Sequence, residues 1–108
     1  MIEFEQVSKI YDNKSAALED VSFVIEAGEF VSIVGHSGAG KTTVTKLLLG
    51  EEKPTSGSVY VDSINVSNLS SNDTIRLRRR IGTVFQDYRL LPNRTAYENI
   101  AFAMEAAG

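Results

Sequence analysis

Apolar and polar residues alternate roughly through residues 2–10, with Ile2, Phe4, Val7 and Ile10 apolar. That is the period of a half-buried strand. Asp12-Asn13-Lys14-Ser15 has turn composition. Val21, Phe23 and Ile25 alternate again, and Glu26-Ala27-Gly28-Glu29 reads as a tight reversal, so residues 19–34 are expected to form a hairpin. Its second arm, with Phe30, Val31, Ile33 and Val34, is almost continuously apolar, which suits a strand covered on both faces. Further on, Val44, Leu47 and Leu48 fall at i, i+3 and i+4, and Gly50 stands where a helix C-cap would.

Val59-Tyr60-Val61 and Ile64-Asn65-Val66 flank Asp62-Ser63, which predicts a two-residue hairpin in which Ser63 is a weaker choice than glycine. Residues 67–74 are polar and read as a loop. Residues 76–80 close a short helical stretch, and residues 81–86 read as another strand. Thr95-Ala96-Tyr97-Glu98 has the spacing of a capping box. Tyr97, Ile100, Ala101 and Met104 then follow at i, i+3, i+4 and i+7, which predicts a helix. Antiparallel strands come first, then strand, helix and strand, so the class is mixed α/β.

Composition narrows the function classes. At 108 residues, with 43% hydrophobic and 23% charged side chains, the chain has the balance of one small globular domain. A net charge of −3 and an isoelectric point near 5.1 give no electrostatic reason to expect nucleic acid as a partner. Cysteine is absent, which excludes disulfides and thiol-based metal or redox chemistry. The start, MIEFEQVSK, lacks the basic and then apolar pattern of a secretory leader. No apolar stretch approaches the 18 residues a membrane span needs. A cytoplasmic location is expected, with any membrane contact made through a partner.

The chemistry concentrates between the apolar run ending at Val34 and the helix that follows: Gly35-His36-Ser37-Gly38-Ala39-Gly40-Lys41-Thr42-Thr43. Gly35-x-x-x-x-Gly40-Lys41-Thr42 satisfies the phosphate-loop pattern. Glycines let successive backbone N–H groups converge on an anion, and the helix N-terminus points its own unpaired N–H groups at the same place. Lys41 would reach the β- and γ-phosphates, Thr42 would offer a hydroxyl to Mg²⁺, and Thr43 would bond a further phosphate oxygen. Two alternatives stand beside this. One is a flexible Gly-Ser linker. The other is a dinucleotide-binding turn, begun by Gly38-Ala39-Gly40 with Asp62 about 20 residues on. Its third glycine is replaced by Thr43, and it has no role for Lys41-Thr42. His36 reads as a solvent-facing loop residue, Arg76 and Arg78-Arg79-Arg80 as a solvated helix face, and Glu51-Glu52-Lys53 as a surface turn.

These motifs together resemble the ATP-binding cassette (ABC) ATPases along the whole chain. Val7-Ser8-Lys9-Ile10-Tyr11 is similar to the segment whose aromatic residue stacks on adenine, which implies that role for Tyr11. Residues 17–43 resemble the strand pair and Walker A loop, and residues 81–87 the Q-loop. The resemblance implies that Gln86 touches Mg²⁺ and the attacking water and relays nucleotide state to a membrane partner. The wording of residues 84–108 is most similar to the ATPases of bacterial cell-division complexes. Lipoprotein-release, macrolide-export and amino-acid-import ATPases are also similar there. Ser63 and His36 depart from the family's usual Gly and Pro.

What the resemblance implies is a P-loop NTPase fold with an antiparallel β subdomain and an incomplete parallel core sheet with helices. It also implies ATP and Mg²⁺ as ligands, a homodimer of the full-length ATPase, and an integral membrane subunit docking near residues 86–93, from Gln86 to Asn93. The family's signature motif, Walker B acidic pair and switch histidine do not occur among the 108 residues. Residues 1–108 are therefore expected to be the amino-terminal part of a single nucleotide-binding domain. Such a part binds Mg-ATP without turnover, because no carboxylate here is set to poise a water. A plain nucleotide-binding module and a partner-binding fragment are the competing classes. The strands at 30–34 and 81–86 are expected not to pair with each other.

Overall fold

The computed structural model describes residues 1–12, 14–34, 39–84 and 91–107, with Ala39 described by its backbone alone. The chain divides into two compact units, Met1–Ser70 and Ser71–Gly108.

The first unit is built on a four-stranded antiparallel sheet in the order β2-β1-β3-β4. The strands are β1 (Ile2–Ile10), β2 (Ala16–Ile25), β3 (Ser56–Val61) and β4 (Ile64–Asn65). The alternation seen in residues 2–10 becomes a central strand whose Phe4 and Val7 are buried. Phe4 stands opposite Phe23 of β2, with ring centroids 4.5 Å apart and the planes 19° from parallel. Such offset stacking adds to the area the rings bury.

Register shifts interrupt β1 on both sides near Gln6, whose φ is +49°. The Gln6 N–H leaves the ladder and donates to Ser22 Oγ at 2.8 Å. Gly57, with φ +83°, sits beside this bulge, and a Cβ there would collide with the Gln6 carbonyl. Only glycine fits such a combination of left-handed backbone and close approach.

Helix α1 (Ala39–Leu48) lies against β2 and β3, burying Val44 and Leu47 on the face the sequence spacing predicts. It ends as a glycine cap: Gly50 has φ +71°, its N–H bonds Leu47 O at 3.3 Å, and Glu51 N–H bonds Lys46 O at 2.9 Å. That paired pattern satisfies the last helix carbonyls. The β3–β4 hairpin turns at Asp62 and Ser63, both at positive φ (+48° and +69°), as a primed two-residue turn requires.

Three expectations change. Residues 19–34 do not make a hairpin: β2 pairs with β1, a ladder formed from the preceding segment, and residues 30–34 join no strand. Residues 81–84 likewise join none, and 85–86 lie outside the described residues, so no parallel core strand forms among the described residues. A lone apolar run has no ladder to make without a neighbour, and Phe30, Val34 and Val84 are 96%, 88% and 96% exposed. Finally, residues 67–74 are not all loop. Val66–Asn68 form a 3₁₀ turn capped by the Asn65 side chain, and helix α2 (Ser71–Arg79) begins five residues before Arg76.

The second unit holds α2 and α3 (Ala96–Ala107). The capping box at the start of α3 is made in full. Glu98 N–H donates to Thr95 Oγ1 at 3.0 Å, and Thr95 N–H donates back to Glu98 Oε1 at 3.1 Å. The apolar stripe that follows is helical as predicted but not buried, with Tyr97 81% and Met104 69% exposed.

Candidate functional site

Gly35, His36, Ser37 and Gly38 of the phosphate loop lie outside the described residues, as does Gln86. Gly40, Lys41, Thr42 and Thr43 form the first turns of α1. Helix geometry sends successive side chains in different directions, about 100° apart. Accordingly Lys41 and Thr42 face outward and are exposed, while Thr43 turns inward and is 1% exposed. The first turn of α1 holds no acidic residue, so nothing in it opposes an anion at that end. Gly40 lies close to β2: a Cβ there would stand 3.1 Å from Ala17 O.

Tyr11 is the first residue past β1 and is pinned by a backbone turn. Its N–H donates to Ser15 O at 3.0 Å and its carbonyl accepts from Lys14 N–H at 2.8 Å. That turn brings the phenol to α1, where its oxygen lies 3.0 Å from Thr43 Oγ1. The same hydroxyl donates to Glu52 Oε2 at 2.7 Å. Lys9 places its ammonium 5.4 Å from the centre of the Tyr11 ring and donates to Lys53 O at 2.8 Å. The structure thus brings together Tyr11 and Thr43, both anticipated, with Lys9 and Glu52, which were not. Glu52 sits 41 positions from Tyr11, in what reads from sequence as a surface turn.

The surface at the end of the expected docking segment belongs to the second unit. Leu91, Pro92 and Arg94 line a groove of about 520 Å³ with Tyr97, Ala101 and Phe102 of α3. Leu91 N–H donates to Asn99 Oδ1 at 2.7 Å, which ties the segment to the helix. No helix among the described residues is long and apolar enough to cross a membrane.

The antiparallel sheet and its helices make an α/β protein, and its structural neighbours, ABC ATPase cassettes, give it the P-loop NTPase fold. The chain belongs to the ABC transporter family, whose model matches residues 18–107. It is 45% identical over 108 residues to the cell division ATP-binding protein FtsE of Bacillus subtilis and 49% identical to that of Streptococcus pneumoniae. All of this chain and 47% of each relative are covered. The methionine import ATP-binding protein MetN 2 of Lactiplantibacillus plantarum is 47% identical over 111 residues, with 32% of its length covered. Among solved structures, the dimeric ABC transporter cassette MJ0796 superposes with a TM-score of 0.88 at 38% identity, covering all of this chain and 48% of that one. The chain thus spans about half the length of the curated FtsE relatives it matches.

Proposed function

We propose that residues 1–108 are the amino-terminal part of one ABC nucleotide-binding domain, from an ATPase that works with a membrane subunit. The single observation that carries this is the arrangement at the start of α1. There Lys41 and Thr42 face outward from a helix N-terminus, and the next residue, Thr43, is met by the Tyr11 hydroxyl at 3.0 Å. In this reading the amides of Gly35, His36, Ser37, Gly38, Ala39 and Gly40 cradle the phosphates of ATP. Lys41 balances charge at the β/γ end, and Thr43 bonds a phosphate oxygen. The Tyr11 ring stacks on the base, and Gln86 senses Mg²⁺ and water.

Among the described residues no group of three His, Cys, Asp or Glu side chains could hold a metal ion. That suits Mg²⁺, which is usually held by substrate phosphates and one or two protein oxygens, here the exposed Thr42 hydroxyl. The solved cassette MJ0796 has also been seen bound to ADP and Pi, which favours a nucleotide as the ligand of this loop.

The particular complex we favour is the cell-division one, an FtsE-like ATPase acting as a homodimer with an FtsX-like membrane subunit. Its support is the run of FtsE relatives at 43–49% identity. The membrane subunit would dock around residues 86–93, at the inner face of the membrane. Amino-acid import is the second reading, favoured by the MetN 2 relative at 47%.

The test is calorimetry of Mg-ATP and AMP against wild type and Lys41→Ala. The loop amides serve any phosphate, but only the ammonium serves the β/γ end. The variant should therefore lose far more affinity for ATP than for AMP. Equal losses would remove the assignment. For the membrane partner, Leu91→Asp in the full-length protein should abolish co-purification with an FtsX-like subunit while leaving ATP affinity unchanged.

A further inference from the structure

Three stretches of chain meet beside the first turns of α1: Tyr11 past β1, Thr43 in the helix, and Glu52 in the turn after it. Their protons can be counted. An ionised carboxylate only accepts hydrogen bonds, and a phenol has one proton to give. Tyr11 gives that proton to Glu52 Oε2 at 2.7 Å. Toward Thr43, 3.0 Å away, the Tyr11 oxygen can then act only as an acceptor. The one proton of the Thr43 hydroxyl must therefore point at Tyr11. Thr43 is 1% exposed, so water has little access to compete for it.

The ring is held from a second side as well. The Lys9 ammonium stands 5.4 Å from the ring centre, and its own bond to Lys53 O fixes it to the same turn that carries Glu52. A cation at that distance is attracted to the face of the ring and occupies it.

An ionised phosphate oxygen, like a carboxylate, accepts and does not donate. To bond Thr43 it needs the proton that Tyr11 now holds. We infer that Tyr11, held by Glu52, is a latch on Thr43: a phosphate entering the loop takes the Thr43 proton, breaks the Tyr11–Thr43 bond and loosens the ring for stacking. Phosphate capture and ring release are then one event, and phosphate engages before base. Glu52 is a positioning residue that acts through Tyr11 and touches no phosphate. The latch rests on the nucleotide-binding reading above. A purely structural clasp of the same three groups would differ in affinity and not in stability: removing the Tyr11 hydroxyl would cost stability in either case, but would leave affinity equal or weaker.

The experiment is calorimetry of the full-length protein with Mg²⁺ and inorganic triphosphate, a probe that has phosphates and no base. Tyr11→Phe keeps the ring and removes the acceptor, which frees the Thr43 proton. Glu52→Ala lets Tyr11 turn its own proton toward Thr43, with the same result. Each variant should bind triphosphate more tightly than wild type, by roughly three- to tenfold, the worth of one net hydrogen bond. Each should also unfold at a lower temperature, so that affinity and stability move in opposite directions. In a Thr43→Val background Tyr11→Phe should give no gain. Wild-type binding that Lys41→Ala abolishes, with Tyr11→Phe equal to or weaker than wild type, would overturn the latch and leave the phosphate loop standing. Failure of the wild type and every variant to bind triphosphate would instead remove the nucleotide reading, and the latch with it.

Discussion

Gly40 in the first turn of α1 lies so close to the Ala17 carbonyl of β2 that a Cβ would stand 3.1 Å from that oxygen. The glycine that the phosphate-loop pattern requires is thus also the point where the helix meets the sheet. In the proposed nucleotide-binding reading two demands fall on one residue, close approach of a ligand and close approach of a strand.

Gly40→Ala separates the two demands. In an open helical position this change gains up to about 1 kcal/mol, because glycine is a poor helix former. Here the Ala17 carbonyl or the helix must give by a few tenths of an ångström. The variant should therefore be no more stable than wild type in urea, and its affinity for triphosphate should fall as the loop is displaced. A gain near the full propensity difference would mean that the contact is slack.

Tyr11 carries two separable contributions, one from its hydroxyl and one from its ring. Comparing Tyr11→Ala with Tyr11→Phe isolates the ring. Stacking accepts any base, since each presents a π-face, and is worth about 1–3 kcal/mol. ATP and GTP should lose affinity alike between the two variants, measured by competition with a fluorescent nucleotide. A loss confined to one of them would mean that this segment reads base edges.

Glu98 gives the start of α3 a pH dependence. Its carboxyl is held below the ordinary glutamate value, first by the Thr95 backbone N–H, then by the Arg94 guanidinium and the Thr95 hydroxyl. A depressed value in the folded state means that the capping contribution is complete above the unfolded value, about 4.3. It is lost as pH falls through the lower, folded one. Acidification through that window should lower the protection of the Glu98 and Asn99 amides, measured against the intrinsic exchange rate at each pH, while protection at the centre of β1 is unchanged. Glu98→Gln keeps an acceptor for Thr95 N–H and should flatten the dependence.

How much of this is legible in the sequence depends on how local the cause is. The capping box, the Asp62-Ser63 turn and the Val44–Leu47 face rest on residues two to four apart, and each forms as the spacing predicts. The early start of α2 also has a local signal, Ser70-Ser71-Asn72-Asp73, whose Ser-x-x-Asp spacing suits a helix beginning. Strand partners are not local. The apolar run at 30–34 states that its residues avoid water and not which strand should cover them, and the nearby turn at 26–29 suggested the wrong neighbour for β2. The bond from Tyr11 to Glu52 joins residues that share no periodicity, so only the folded chain brings Glu52 into the site.

The uncovered apolar side chains make the last prediction. Phe30 is 96% exposed and Val34 88%, in a segment that joins no strand, and in the other unit Val84 is 96% exposed. Fully exposing such side chains rather than burying them forgoes roughly 1.5–3 kcal/mol each. The backbone of residues 30–34 also contributes no strand ladder, and an unpaired extended segment is a template for another chain. Both terms favour association, so the 108-residue chain studied by itself should self-associate as its concentration rises. Sedimentation velocity between about 5 and 200 µM should show this, together with binding of an apolar fluorescent dye. Phe30→Ser should weaken association and dye binding together. It should leave the β1–β2 ladder intact by amide exchange, because Phe30 lies five residues beyond the end of β2. A chain that stays monomeric and dye-free across that range would mean that these side chains find cover within the molecule.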